Sequence, residues 1–315
     1  LFWSANELTS KSVKVYFLGV GGGIPSVTRS PPSVAVNFQG KTLLFDCGEG
    51  TQLQLQRVGL SPHKIQEIFI THLHGDHVLG LPGLLSTMMM LNRTKPLMIY
   101  GPVGTKKFTE TTLELTHAHI DFPLTVKNVK EGRISTQVQY RVECFPSIHS
   151  VASLSYILQT ADTPGRFDVR KAEQLGVPSG PLRKELYNGQ PIKTPKGKIV
   201  RPEDVLGPVR KGLRIVFSGD TAPNPKLAKA AKGASLLIHD ATFTALHKEN
   251  ARKYEHSTAA QAAQIASDAS VKRLALVHIS PRYASNEEHE TEAQTIFPAS
   301  FAPNDLDIIE LTPTK

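Results

Sequence analysis

The stretch Thr71-His72-Leu73-His74-Gly75-Asp76-His77 constrains this chain more than any other. Three imidazoles and one carboxylate fall within the six residues from His72 to His77, a density that packing alone seldom produces. Ahead of it, Ile65-Gln66-Glu67-Ile68-Phe69-Ile70 alternates and is rich in β-branched residues, the pattern of a strand. Behind it, Val78-Leu79-Gly80-Leu81-Pro82-Gly83-Leu84-Leu85 is apolar and runs on into Ser86-Thr87-Met88-Met89-Met90, which reads as a helix. The cluster therefore sits on a strand-to-helix turn, where side chains converge. His72 and His74 are two apart and leave an extended strand end on the same side. Asp76 and His77 come around the turn. Neutral imidazole nitrogens and carboxylate oxygens are the ligands that zinc takes.

Two divalent cations about 3.5–4 Å apart can clamp a phosphoryl group, and a pair needs more ligands than this turn supplies. Three further candidates stand where an apolar run stops: His149 after Glu143-Cys144-Phe145-Pro146, Asp220 after Val216-Phe217-Ser218-Gly219, and His278 after Leu274-Ala275-Leu276-Val277. Repeated placement at strand ends suggests that these loops meet on one rim. Asp46, after Thr42-Leu43-Leu44-Phe45, has the same setting and could orient a ligand histidine from behind. His63, His117, His119, His247 and His289 lack that setting and read as structural or surface residues.

At 315 residues the chain can bury a full core, and no apolar run reaches the roughly 18–20 residues of a membrane span. The two cysteines, Cys47 and Cys144, form no disulfide framework and read as small core residues of a reducing, cytoplasmic compartment. An organelle or the nucleus stays open if a leader is missing from the start. Residues 1–11 open without Met and are read as a disordered or non-native tail. From there the chain alternates. Strands are expected at 13–18, 34–38, 42–45, 67–71, 97–100, 126–129, 137–145 and 153–158, with helices at 52–58, after the cluster, and at 103–116. The pattern resumes with strands at 213–217, 236–238, 273–277 and 307–311, and helices at 225–231 and 257–269. Between these halves, residues 161–212 hold much Gly and Pro and little apolar periodicity, with two short helices expected at 169–175 and 182–186. The reading is a single α/β domain, 12–315, with 161–212 as an inserted arm.

Further motifs join the cluster: Phe17-Leu18-Gly19, Asp46-Cys47-Gly48-Glu49-Gly50-Thr51-Gln52, Tyr100-Gly101-Pro102, Ser218-Gly219-Asp220-Thr221, and His278 followed by Ser280, Arg282 and Tyr283. From about Val13 to Leu311 the chain resembles the ribonuclease Z family, tRNA 3′-processing endonucleases of the metallo-β-lactamase superfamily. The resemblance implies an αββα sandwich. It implies one zinc on His72, His74 and His149, a second on Asp76, His77 and His278, and Asp220 shared between them. Superfamily sites also accept manganese or iron. It implies water attack at phosphorus, with Asp76 also assigned as general base. The cut would follow the discriminator nucleotide, leaving a 3′-hydroxyl on the tRNA and a 5′-phosphate on the trailer. The family's Glu–His pair for the leaving oxygen maps onto His239-Asp240-Ala241-Thr242 and His256-Ser257-Thr258. Here Asp240 is one methylene shorter than the family's Glu, which puts its reach to His256 in question. Ile148 stands where the family often has Lys, so a phosphate contact is missing there.

The net charge is +8, and between Arg166 and Arg214 twelve Lys and Arg face five Asp and Glu. A stretch of this composition is not expected to form a core of its own, but it can present cations to phosphates. Pro164-Gly165-Arg166-Phe167-Asp168 and Gly180-Pro181-Leu182-Arg183-Lys184-Glu185-Leu186 resemble the family's flexible arm, or exosite, which grips tRNA far from the zinc site. This implies substrate contacts at Arg166, Arg170, Lys171, Gly180, Pro181, Arg183 and Lys184, and a homodimer in which one subunit's arm serves the other's site. Gly21-Gly22-Gly23 lacks the spacing of a dinucleotide fingerprint and is expected to shape the site rim. The alternative function is a small-molecule phosphodiesterase or other hydrolase of the same superfamily.

Overall fold

The computed structural model describes residues 12–313, so the expectation for residues 1–11 lies outside the described residues. The chain divides into a larger unit, Val13–Gln159 with Leu213–Leu311, and a smaller one built on Thr160–Gly212.

Two seven-stranded sheets form the larger unit. In one, the order is Ile308–Leu311, Val13–Gly19, Ser33–Phe38, Lys41–Phe45, Ile65–Phe69, Leu97–Gly101 and Leu124–Asn128. In the other it is Ser300–Phe301, Leu274–Val277, Leu236–Asp240, Arg214–Phe217, Leu154–Thr160, Tyr140–Pro146 and Gly132–Thr136. Strand residues alternate in direction, and both directions are apolar. Phe17, Val36, Phe45 and Phe69 meet Val142, Tyr156, Ile215 and Phe217 between the sheets. Phe45 stacks on Phe217 with ring centroids 3.7 Å apart. On the outer face of the first sheet, Leu18, Leu44, Ile68 and Ile99 pack against Leu55, Leu81, Leu84 and Met88 of helices Thr51–Arg57 and Gly80–Met90. On the outer face of the second, Val216, Leu237 and Leu276 pack against Leu227, Ala262, Ala266 and Ala293 of helices Pro225–Ala230, Ala259–Asp268 and Glu287–Gln294. Strands with both faces covered read as continuous apolar runs, and here each run is. The result is the expected αββα sandwich.

Parallel pairing fixes where the chemistry collects. Lys41–Phe45, Ile65–Phe69 and Leu97–Gly101 run parallel, as do Arg214–Phe217, Leu236–Asp240 and Leu274–Val277. Loops leaving the carboxyl ends of such strands are where α/β folds bind ligands. Asp46, His72, Asp220 and His278 all follow such ends, and Asp240 is the last residue of its strand.

Several expected elements differ in extent. The expected strand 137–145 runs from Tyr140 to Pro146, and its antiparallel partner Gly132–Thr136 was not anticipated. Helices Lys248–Tyr254 and Glu287–Gln294 were not anticipated, because both are mostly polar and give no apolar stripe.

The smaller unit corrects the expectation that 161–212 forms no core. Phe167, Ala172, Val177, Leu186, Ile192, Val200 and Val205 are buried together. Glycines with positive φ at 176, 180, 189 and 197 turn the chain so that these scattered residues meet. Helices Val169–Gln174, Pro181–Tyr187 and Pro202–Val205 and a two-residue strand pair, Ile192–Lys193 with Ile199–Val200, frame them. No helix among the described residues is long and apolar enough to cross a membrane.

Candidate metal centre

Four histidine nitrogens converge on the buried carboxylate of Asp220. Its Oδ2 lies 3.2 Å from His278 Nε2, 3.3 Å from His77 Nε2, 3.5 Å from His72 Nε2 and 4.0 Å from His149 Nε2. Ligand atoms of His72, His74, His149 and Asp220 all lie within 4.8 Å of one another, as do those of Asp76, His77 and His278. Asp76 Oδ2 is 3.3 Å from His278 Nε2 and 3.6 Å from His77 Nε2.

The far side of each ring shows which nitrogen is free to ligate. His77 Nδ1 donates to Asp46 Oδ2 at 2.7 Å. Asp46 is itself held by the Thr71 backbone N–H at 2.7 Å and the Thr71 hydroxyl at 2.8 Å. His149 Nδ1 donates to the Glu255 carbonyl at 3.1 Å. The Thr242 hydroxyl donates to Asp240 Oδ1 at 2.7 Å, so it accepts from His278 Nδ1 at 2.8 Å. A ring that ligates a metal is neutral, so with the anchored nitrogen carrying the hydrogen, Nε2 is the atom left with a lone pair for the ion. His77 Nε2 is buried and has no hydrogen-bond partner. A buried polar atom left unpaired is costly, and a cation at this point would satisfy it. The donor set of imidazole and carboxylate therefore fits a metal ion.

The electrostatics agree. Burial opposes charge on His77, but Asp220 and Asp46 outweigh it and raise its pKa well above the ordinary value. The same pull draws any cation. Burial and the neighbouring His77 push His72 well below its ordinary value, so that ring stays neutral. Burial also opposes charge on Asp76, yet the His278 hydrogen bond and the charges of His77 and His278 hold its carboxyl below the usual range.

Beside the cluster lies the second pair. Asp240 Oδ2 accepts from His256 Nδ1 at 2.8 Å, so the shorter side chain does reach the imidazole. The strand end brings Asp240 close, and the Thr242 backbone N–H and hydroxyl fix its other oxygen. Burial alone would lower the His256 pKa, but Asp240 outweighs it and raises it to about 9. His256 is thus protonated at neutral pH. The capping box of helix Ala259–Asp268, where Thr258 and Gln261 exchange hydrogen bonds, anchors the segment that follows it.

The glycine loop forms the rim. A Cβ on Gly22 would lie 2.5 Å from the His278 ring, so no side chain fits there. Gly23 N–H donates to Asp76 Oδ2 at 2.7 Å. A cleft of about 430 Å³ opens here, lined by residues that include His74, His149, His256, Phe243 and Tyr254. Thr242, Glu255 and Tyr254 were not anticipated from sequence. Thr242 alone had a signal, as the fourth residue of the His239–Thr242 motif.

In the smaller unit Arg166, Arg170, Lys171, Gly180, Pro181 and Lys184 are exposed. Arg183 is turned inward: its guanidinium donates to the Val177 carbonyl at 3.2 Å and meets Glu173 at 3.4 Å, with 14% of the side chain exposed.

Comparison with known proteins bears on this geometry. A family model described as a beta-lactamase superfamily domain matches residues 188–279, and one described as anti-Pycsar protein Apyc1 matches residues 13–164. Ribonuclease Z of Natronomonas pharaonis is 42% identical over 303 residues, spanning 95% of this chain and 98% of that one. The chain belongs to the ribonuclease Z family. Ribonuclease Z of Bacillus licheniformis is 41% identical over 299 residues, spanning 93% and 97% of the two chains. The crystal structure of human tRNase Z, short form, matches with a TM-score of 0.68 at 28% identity, covering 96% of this chain and all of that one. The metallo-beta-lactamase fold protein YhfI from Bacillus subtilis shares the fold, with a TM-score of 0.67 at 16% identity.

Proposed function

We propose that the chain is a metal-dependent endoribonuclease that removes the 3′ trailer of precursor tRNA. It cuts after the discriminator nucleotide, leaving a 3′-hydroxyl on the tRNA and a 5′-phosphate on the trailer. The observation that carries the reading is the convergence of ligand nitrogens on Asp220 in a chain of this family. His72, His74 and His149 would hold one zinc, Asp76, His77 and His278 a second, and Asp220 would serve both. Bound there, the ions polarise phosphoryl oxygens and lower the pKa of water.

The chain's own groups supply the rest. Asp46, Thr242 and the Glu255 carbonyl keep the ligand rings aimed. Asp76, its Oδ2 held by the Gly23 N–H, would serve as metal ligand and as the general base for the attacking water. His256, protonated and backed by Asp240, gives a proton to the departing 3′-oxygen. Arg166, Arg170, Lys171 and Lys184 contact tRNA phosphates, while Arg183 holds the arm's shape. Exposed Leu53, Leu79, Met90 and Leu91, on or beside helices Thr51–Arg57 and Gly80–Met90, offer an apolar surface for a homodimer. Both cysteines are free and buried, in keeping with work in the cytoplasm.

The test is incubation of the purified protein with a 3′-extended precursor tRNA and mapping of the cut. One cut after the discriminator, with a 3′-hydroxyl on the tRNA, is expected. No cut, or a cut elsewhere, refutes the reading.

A further inference from the structure

The segment just before His256 reaches the site through more than that imidazole. Helix Lys248–Tyr254 ends at Glu255, which adopts a left-handed conformation with φ 55. That turn pins three consecutive residues to the site. The Glu255 carbonyl accepts from His149 Nδ1, His256 pairs with Asp240, and Tyr254 lines the cleft of about 430 Å³. Tyr254 is 49% exposed, unlike Phe243, which lines the same cleft at 4%. Lys253 lines it too, its ammonium 5.3 Å from the centre of the Tyr254 ring. The cleft thus joins an aromatic face, a cation and the proton-donating imidazole.

We propose that Tyr254 is the stacking platform for the base of the nucleotide that carries the leaving 3′-oxygen. The inference rests on the functional reading above, in which His256 serves that oxygen. Tyr254 and His256 line one cleft on either side of Glu255, so a nucleotide whose 3′-oxygen meets His256 has the Tyr254 ring within the same cleft. Lys253 adds charge for the neighbouring phosphate. An aromatic face stacks with every base, so the platform holds the nucleotide without reading it. Ile24 and Pro281 supply apolar surface in the same cleft.

The experiment couples an enzyme change to a substrate change. Tyr254→Ala and wild type are assayed on precursor tRNA with an intact discriminator base, with an abasic discriminator, and with an abasic first trailer nucleotide. Wild type is expected to lose roughly 5- to 150-fold in kcat/KM on the abasic discriminator, the range of base–aromatic stacking. Tyr254→Ala should lose as much on intact substrate and show little further loss when the base is removed. Tyr254→Phe, which keeps the ring, should recover the dependence on the base. Losses that multiply, or coupling to the trailer nucleotide instead, overturn the proposal and leave the functional reading intact. Failure of wild type to cut intact precursor overturns both.

Discussion

The two units of the chain treat charge in opposite ways. In the larger unit the carboxylates of the site are buried and partnered: Asp46, Asp220 and Asp240 are 6%, 3% and 1% exposed, and each faces named nitrogens or hydroxyls. In the smaller unit, seven apolar residues hold the shape while Arg166, Arg170 and Lys171 stay on the surface. A buried, fully paired charge has a fixed position, which is what chemistry at a phosphorus atom needs. A surface cation has reach but little geometry, and salt weakens it. Under the proposed function, bond cleavage falls to the first unit and grip on tRNA to the second.

The sharpest way to break that division is at Asp220. Asp220→Asn should lower cleavage of precursor tRNA and of a small phosphodiester alike, by at least about 10³-fold, with loss of bound metal measured on the purified protein. Retained cleavage of either substrate would remove Asp220 from the centre. A smaller effect is expected at Asp46, which acts on the centre through the far side of His77 and is itself held by Thr71. Asp46→Asn should weaken metal affinity about 10- to 100-fold, read by competition with a chelator.

The smallest effect concerns a buried group outside the site. His289 is fully buried against Tyr283, and burial, then Arg29, lowers its pKa to about 4. The folded state therefore refuses a proton that the unfolded state accepts below about pH 6.5. More protons bind to the unfolded chain, so stability rises with pH between about 4 and 6.5 and is lost as pH falls through that window. His289→Phe should remove about 2 kcal/mol of the stability difference between pH 7 and pH 5, measured by urea unfolding. An unchanged difference would show that other groups set the acid limb.

The sequence exposed the parts of the site that follow short apolar runs. His72, Asp220 and His278 each appear where a strand must end, and a chain segment a few residues long carries that signal. The roles of Thr242 and Glu255 were hidden because they depend on partners 36 and 106 residues away. The reach of Asp240 could not be read from its length, since it depends on where strand Leu236–Asp240 stops relative to His256. The arm's small core escaped for a related reason. Its apolar residues follow no period, and only the turns bring them together.

The division between the units is tested most directly by neutralising the grip and assaying two substrates in parallel. In a variant with Arg166, Arg170, Lys171 and Lys184 all changed to Ala, kcat/KM on precursor tRNA should fall on the order of 10²-fold and depend less on salt. Hydrolysis of bis(p-nitrophenyl) phosphate should stay within about twofold of wild type, because a small substrate draws no remote binding energy. Equal losses on both substrates would contradict the account and make the arm a structural support for the metal centre.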